Sequence, residues 1–80
     1  MKKTGINLEN VKIRNKSSIL LLLRRSGGMS RKDIAEQVGL TPAAVTLLCS
    51  EMMEEGILKE TGEVAEERRA GRRKIMVDIN

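Results

Sequence analysis

The sequence predicts a mainly α fold with a small β-ribbon, made of three helices followed by two strands. Apolar residues recur at helical spacing as far as Gly56, and beyond it they alternate as in strands. Before Gly56, glycine, proline and hydroxyl residues stand where helices commonly end and begin. With 80 residues, the chain is expected to form one domain, residues 11–80, preceded by a flexible arm, residues 1–10.

The first helix is predicted to run from Val11 to Arg25, with Asn10 as its N-cap. The apolar side chains that share one face at helical spacing, and are expected to reach the core, are Ile19, Leu20, Leu22 and Leu23. Leu21 points partly outward from this face, where it either borders the core or contacts a partner. The residues "SGG" at 26–28 are expected to end the helix.

The second helix is predicted to begin after Ser30 and to run to about Val38. Ser30 can accept a hydrogen bond from the backbone three residues on, where Asp33 is a short version of the acid of a capping box. The residues of this helix expected to be buried are Ile34, Ala35 and Val38. Gly39 then supplies a positive φ at the turn, which a β-carbon would penalise.

The third helix is predicted to start with Thr41 as N-cap and Pro42 at the first helical position, where its missing N–H costs nothing. It is expected to run to about Glu55 and to stop at Gly56 in the C′ position. Its predicted buried residues are Val45, Leu48, Cys49 and Met52.

Two short strands are predicted after Gly56. "ILKET" at 57–61 has the composition of a strand, and "KIMVDI" at 74–79 alternates. The alternation places Ile75, Val77 and Ile79 on one face of the second strand. The polar segment between the strands, residues 62–73, is expected to form a long basic loop.

Residues 31–50 match the steric requirements of a helix-turn-helix. A small residue, Ala35, stands where the two helices would cross closely, and Gly39 follows four residues later at the turn. Leu40 would fill the corner, and Val45 and Leu48 would face the first helix of the pair. An ordinary corner between two helices of a bundle is the alternative. Together with the ribbon, the motif predicts a winged helix-turn-helix, whose third helix enters the major groove of DNA.

Nearly the whole chain resembles the N-terminal winged helix-turn-helix of ROK-family transcriptional repressors. The resemblance is carried by Asn15 with "IL" after it, "SRKDIAEQVGLTPAAVT", "MMEEGIL", and "GRRK" before the last strand. This sequence departs from the family at Leu47, where a polar or basic residue is common, and at Ala44, where a hydroxyl is common. It also has Lys74 where a proline usually follows the two arginines.

The resemblance implies a module that binds operator DNA as part of a repressor. In the family, a sugar-kinase-like domain follows, senses a sugar or phosphosugar, and supplies dimerisation. A homodimer on a palindromic operator is therefore implied, and a sugar effector only if a further domain exists outside these 80 residues.

The candidate DNA contacts fall in three segments. The start of the second helix is expected to meet phosphates, the third helix to meet base edges, and the wing to meet the minor groove. Ala43 or Leu47 could touch a thymine methyl group, and the helix is otherwise poor in base-reading side chains. For Thr46, Arg31 and Lys32 the alternative is a surface position without a DNA contact, and for the wing it is a charged loop that lies over phosphates. The candidate residues are Ser30, Arg31, Lys32, Thr41, Pro42, Ala43, Thr46, Leu47, Ser50, Arg68, Arg69, Gly71, Arg72, Arg73 and Lys74.

The distribution of charge agrees with a polyanionic partner. The net charge is +4, with nine basic and three acidic residues up to position 50, seven acids against one base at 51–67, and five bases at 68–74. The acidic segment after Glu51 is expected to lie away from DNA. The alternative is that these basic and acidic clusters are charged surface exposed to solvent.

The composition also argues against several classes of function. The chain has no aromatic residue, no histidine and one cysteine, so base stacking, a zinc site, a disulfide and a Ser-His or Cys-His nucleophile are not expected. We therefore predict no enzyme and no cofactor. No signal peptide or membrane span is predicted, and a cytoplasmic location is expected.

The residues expected to fill the core in addition are Cys49, Met29, Met52, Met53 and Met76.

A protein-interaction module is the alternative function. Winged helices can present apolar side chains to a protein instead of DNA, and Leu21 and Leu47 are candidates for such a contact. The basic wing favours duplex DNA, because its charges suit phosphates better than an apolar partner.

Overall fold

The computed structural model describes residues 8–65 and 73–80, and side chains within 9–62 and 75–80. The chain order is α1 (Leu8–Ser26), β1 (Met29–Ser30), α2 (Arg31–Val38), α3 (Pro42–Glu54), β2 (Leu58–Ala65) and β3 (Arg73–Ile79). Three helices thus precede a β-hairpin, as the sequence predicts, and a short strand is added between the first two helices.

Helix α1 starts earlier than predicted. It begins at Leu8, so Asn10 lies within its first turn and is not its N-cap. Glu9 in that turn is an acid near the positive end of the helix dipole, which supports the earlier start. The remainder of the predicted arm, residues 1–7, lies outside the described residues.

Both predicted caps of the helix pair are confirmed. The Ser30 hydroxyl accepts a hydrogen bond from the Asp33 amide at 3.2 Å, and the Thr41 hydroxyl accepts one from the Ala44 amide at 3.1 Å. Between the helices, Gly39 has φ 78° and donates its N–H to the Ala35 carbonyl at 2.9 Å. The sequence from Ala35 to Ala44 therefore ends one helix and starts the next within a few residues.

Helix α3 ends as predicted at a glycine. Gly56 has φ 80° and donates to the Met53 carbonyl at 3.0 Å, while Ile57 donates to the Met52 carbonyl at 2.8 Å. This pair of bonds is the Schellman arrangement, which satisfies carbonyls that the helix end leaves free. It also turns the chain directly into β2.

The sheet has three antiparallel strands in the order β1-β3-β2. Strand β1, which was not predicted from the sequence, consists of two residues paired with Val77 and Met76. Strand β2 runs on to Ala65, which pairs with Arg73, so the loop of the hairpin is shorter than the predicted 62–73. A bulge between Glu60 and Gly62 interrupts the pairing.

The core lies between the helices and the sheet. Its buried residues are Ile19, Leu23, Ile34, Ala35, Val45, Leu48, Cys49, Met52, Leu58 and Val77. The predicted helical core residues Leu20, Leu22 and Val38, together with Met29 and Met53, pack against its edge and are partly buried. On β3 only the central residue of the predicted face, Val77, is fully buried, while Ile75 and Ile79 are 41% and 36% exposed.

Candidate nucleic-acid interface

The outward face of α3 is exposed over its first three turns. Ala43, Thr46, Leu47 and Ser50 follow the spacing that places residues on one helical face, and all four are exposed. The opposite face carries the buried residues of this helix. The cap and proline that start α3, which were also predicted contacts, are exposed as well.

This exposed face is apolar and uncharged. The stretch from Pro42 to Ser50 contains no ionisable side chain other than the buried thiol of Cys49. Leu47 is the most exposed of the large hydrophobic side chains that the structure describes, at 60%. The face therefore offers methyl groups and the hydroxyls of Thr46 and Ser50, which suit thymine methyl groups and single hydrogen bonds to base edges.

The start of α2 presents two cations of different accessibility. Lys32 is exposed, whereas the side chain of Arg31 is only 22% exposed and its Nη2 atom lies 2.9 Å from Oε2 of Glu60. Ser30, also predicted as a contact, is 6% exposed, and its hydroxyl is occupied as the helix cap. Lys32 is thus the most accessible side chain of this predicted phosphate-binding segment.

Most of the basic wing lies outside the described residues. The predicted contacts outside the described residues are Arg68, Arg69, Gly71 and Arg72. For the other two, Arg73 and Lys74, the structure describes only the backbone. Arg73 is the first residue of β3. The hairpin therefore places the backbone of Arg73, paired with Ala65, at the end opposite the Leu58–Ile79 pair.

The acids at the end of α3 are bound to α1. Glu51 contacts Lys12 at 3.2 Å and Lys16 at 3.1 Å, and Lys16 also contacts Glu55 at 3.1 Å. Hydrogen bonds from Lys16 and then Lys12 lower the pKa of Glu51, and the hydrogen bond to Glu55 raises the pKa of Lys16. These ion pairs join two helices and neutralise two acids that would otherwise repel phosphate.

Cys49 is a core residue, as predicted. It is fully buried, and burial raises the pKa of its thiol, so the less reactive protonated form is favoured. No group of three or more metal-ligating side chains occurs within the described part of the chain. No helix of residues 8–65 is long and apolar enough to cross a membrane.

The ion-pair partner of Arg31 is not predicted by the sequence. Glu60 is 29 positions away, and nothing in the local pattern connects the two residues. The contact arises because Ser30 and Gly62 pair with the same residue, Met76, from opposite sides of β3. Only the strand register, which includes the unpredicted β1, brings the start of α2 close to β2.

Two shallow apolar grooves border the helices. One lies beside Leu47, between the first half of α1 and α3. The other lies beside Leu21, which is 54% exposed, and is completed by Ile57 and Ile79. The two exposed leucines singled out from the sequence therefore lie at different grooves and do not form one continuous surface patch.

Comparison with known families gives one match that covers more than half of the chain. The profile described as winged helix-turn-helix DNA-binding matches residues 14–59. Over 71 residues, 89% of this chain, the sequence is 37% identical to the DNA-binding transcriptional dual regulator NagC of Escherichia coli K12. The same figures hold for the N-acetylglucosamine repressor of Shigella flexneri. The predicted resemblance to ROK-family repressors is thus confirmed, although the chain spans only 17% of the length of these relatives.

Solved structures confirm the predicted fold class. The Zalpha domain of a Carassius auratus protein, in complex with Z-DNA, matches with a TM-score of 0.70 at 16% identity. The match covers 88% of this chain and 98% of that domain. A MarR family regulator from Neisseria meningitidis has a TM-score of 0.65 at 21% identity, with 82% of this chain and 43% of that chain covered. At such low identities the likeness shows the winged-helix fold alone.

Proposed function

Because the chain belongs to the winged helix-turn-helix DNA-binding family, we propose that it binds duplex DNA with the exposed face of α3 in the major groove. The observation that carries the proposal is that one face of α3 is buried and the other is exposed. The buried face packs in the core, and the exposed face carries Ala43, Thr46, Leu47 and Ser50, which no described residue covers.

Each segment of the interface has its own role in this proposal. Ala43 and Leu47 contact thymine methyl groups, and Thr46 and Ser50 hydrogen-bond to base edges. Lys32 and the backbone at the start of α2 bind phosphate, where the helix dipole also favours an anion. The wing brings its basic residues to the minor groove. Those residues are Arg68, Arg69, Arg72, Arg73 and Lys74.

The biological role we propose is transcriptional repression. Of the two curated relatives named above, one is described as a transcriptional dual regulator and the other as a repressor. A homodimer on a palindromic operator fits a helix-turn-helix, because two copies can then occupy successive major grooves. A sugar effector belongs to this proposal only with a further domain, since these 80 residues match 17% of such relatives.

A winged helix that binds protein instead of DNA is the second candidate. It is favoured by the exposure of Leu21 and Leu47, at 54% and 60%. The uncharged face of α3 would suit an apolar partner as well as a thymine-rich groove. The response to salt distinguishes the two, because phosphate contacts release counterions and apolar contacts do not.

The test is a titration of a labelled random duplex by fluorescence anisotropy at salt concentrations from about 50 mM to about 200 mM. We expect weak binding that falls steeply with salt. The variant Lys32→Gln should reduce the slope of log affinity against log salt concentration by about 0.9, which is the contribution of one phosphate contact. Lys59→Gln, which removes an exposed cation outside the proposed interface, is the matched control and should leave the slope unchanged. Absence of binding at low salt, or binding that ignores salt, contradicts the proposal.

A further inference from the structure

We propose that Glu60 limits the DNA affinity of this domain by holding Arg31 in an internal ion pair that DNA phosphate must displace. This inference rests on the proposed function, because it concerns the phosphate contact at the start of α2. It assigns to Glu60, a residue of the sheet, control over a cation of the DNA-binding surface.

The geometry shows an arginine that is held in place but incompletely bonded. Nη2 of Arg31 donates to Oε2 of Glu60 at 2.9 Å and lies 4.0 Å from the Met53 sulfur. The Nε atom of the same guanidinium group is buried and has no hydrogen-bond partner among the described residues. An arginine donates five hydrogen bonds, so this arrangement satisfies the side chain only in part.

The pair is also poorly protected from competition. The side chain of Glu60 is 48% exposed, and ion pairs that solvent reaches are weak. A phosphate can accept two parallel hydrogen bonds from a guanidinium group, which the single carboxylate contact seen here does not provide. A duplex placed against the start of α2 can therefore take Arg31 from Glu60, but the energy of the internal pair is subtracted from the binding energy.

The fold makes this competition specific to Glu60. The bulge between Glu60 and Gly62 sets the register of β2, and Glu60 pairs across the sheet with Val77. Glu51 and Glu55 are already bound to Lys12 and Lys16 of α1. Glu60 instead forms its ion pair with a predicted DNA contact, Arg31.

The experiment is a double-mutant cycle with Glu60→Gln, Arg31→Gln and the double variant, each titrated with the same labelled random duplex. Glu60→Gln should raise the affinity about three- to fivefold, the size of a solvent-accessible ion pair. It should keep the wild-type salt slope, because the same phosphates are contacted. Arg31→Gln should lower the slope by about 0.9, and in that background Glu60→Gln should have no effect.

The matched control is Glu36→Gln on α2, which removes an exposed acid that forms no ion pair with a described residue. It should change affinity much less than Glu60→Gln, and equally with or without Arg31. Thermal melting of each variant shows that it is folded.

Three outcomes overturn the inference while leaving DNA binding intact. They are no gain with Glu60→Gln, a gain that persists without Arg31, and an unchanged salt slope with Arg31→Gln. The second would mean that Glu60 repels DNA by its charge and does not act through Arg31. The third would mean that Arg31 does not contact phosphate. A wild-type chain that binds no duplex contradicts the proposed function instead.

Discussion

Gly39 fixes the turn between α2 and α3 through its backbone conformation alone. Its φ of 78° lies in the left-handed region, and a β-carbon built at this position would meet no atom within 4 Å. Space is therefore available for a side chain, and any loss of stability would come from strain in the backbone. The same backbone conformation sets the direction in which α3 leaves the turn and so exposes its outer face.

Gly39→Val should therefore destabilise the domain by about 1–3 kcal/mol, because a β-branched residue is strained in the left-handed region. Gly39→Asn is the matched control and should cost less, since asparagine adopts this conformation more readily. Urea unfolding of the three proteins measures both differences. Equal stability of the valine variant and the wild type would mean that φ at this turn is not constrained.

The residues that make local contacts could be predicted from the sequence, and those that make distant contacts could not. Ser30 and Thr41 cap helices through atoms three residues away, so a short pattern contains all the information needed. The ion pair of Arg31 with Glu60 depends on the register of three strands. No pattern in the neighbourhood of either residue reports that register.

The same division holds for whole elements. Glycine and proline mark both ends of the turn between α2 and α3, and that turn was predicted correctly. Strand β1 has two residues, too few to show an alternation. The segment at 62–65 was predicted as loop because it is charged and contains a glycine. Backbone pairing with β3 overrides that low intrinsic preference for a strand.

Helix α1 is joined to α3 by ion pairs that respond to acid. Hydrogen bonds from Lys16 and Lys12 hold the pKa of Glu51 below its ordinary value of 4.5. A lowered folded-state pKa means that the stabilisation is complete above the ordinary value and is lost as pH falls through the lowered one. The contact between the two helices should therefore weaken in acid.

Glu51→Gln should lower the free energy of unfolding at neutral pH and make little difference once the carboxylate of the wild type is protonated. The quantity to measure is the difference between the two proteins, by urea unfolding from neutral pH down to about pH 2. Glu54→Gln, which removes an acid on the exposed side of the same helix, is the matched control and should lower the free energy of unfolding at neutral pH less than Glu51→Gln does. A difference between Glu51→Gln and wild type that stays constant with pH would show that the lysines do not act through the charge of Glu51.

At the scale of the whole molecule, some cations form internal ion pairs and others are exposed to solvent. Lys12, Lys16 and Arg31 form ion pairs with acids of the α3 end and β2. The face of α3 carries no charge of its own. In the proposed interface, the charges that attract DNA are therefore Lys32, Arg31 once phosphate displaces Glu60, and the basic residues at 68–74.

The hairpin is suited to carry those charges away from the core. Among the β3 side chains that the structure describes, Val77 is the fully buried one, and Arg73 lies four residues before it in the sequence. At the rise of a strand, that separation is about 13 Å. Arginines at this distance can enter a narrow A·T-rich minor groove, where they read the shape of the duplex rather than base edges.

Replacing Arg72 and Arg73 together by lysine keeps the charge and removes the planar guanidinium group. If these arginines enter the minor groove, the preference for duplexes with A·T-rich flanks over G·C-rich flanks should disappear, because the ammonium group of lysine is more strongly hydrated. The measurement is the affinity for both duplex types. Arg24→Lys with Arg25→Lys, at the exposed end of α1, is the matched control and should leave the preference intact. An equal and small loss on both duplex types would mean that the wing only neutralises phosphate, and that selectivity must come from Thr46 and Ser50 of α3.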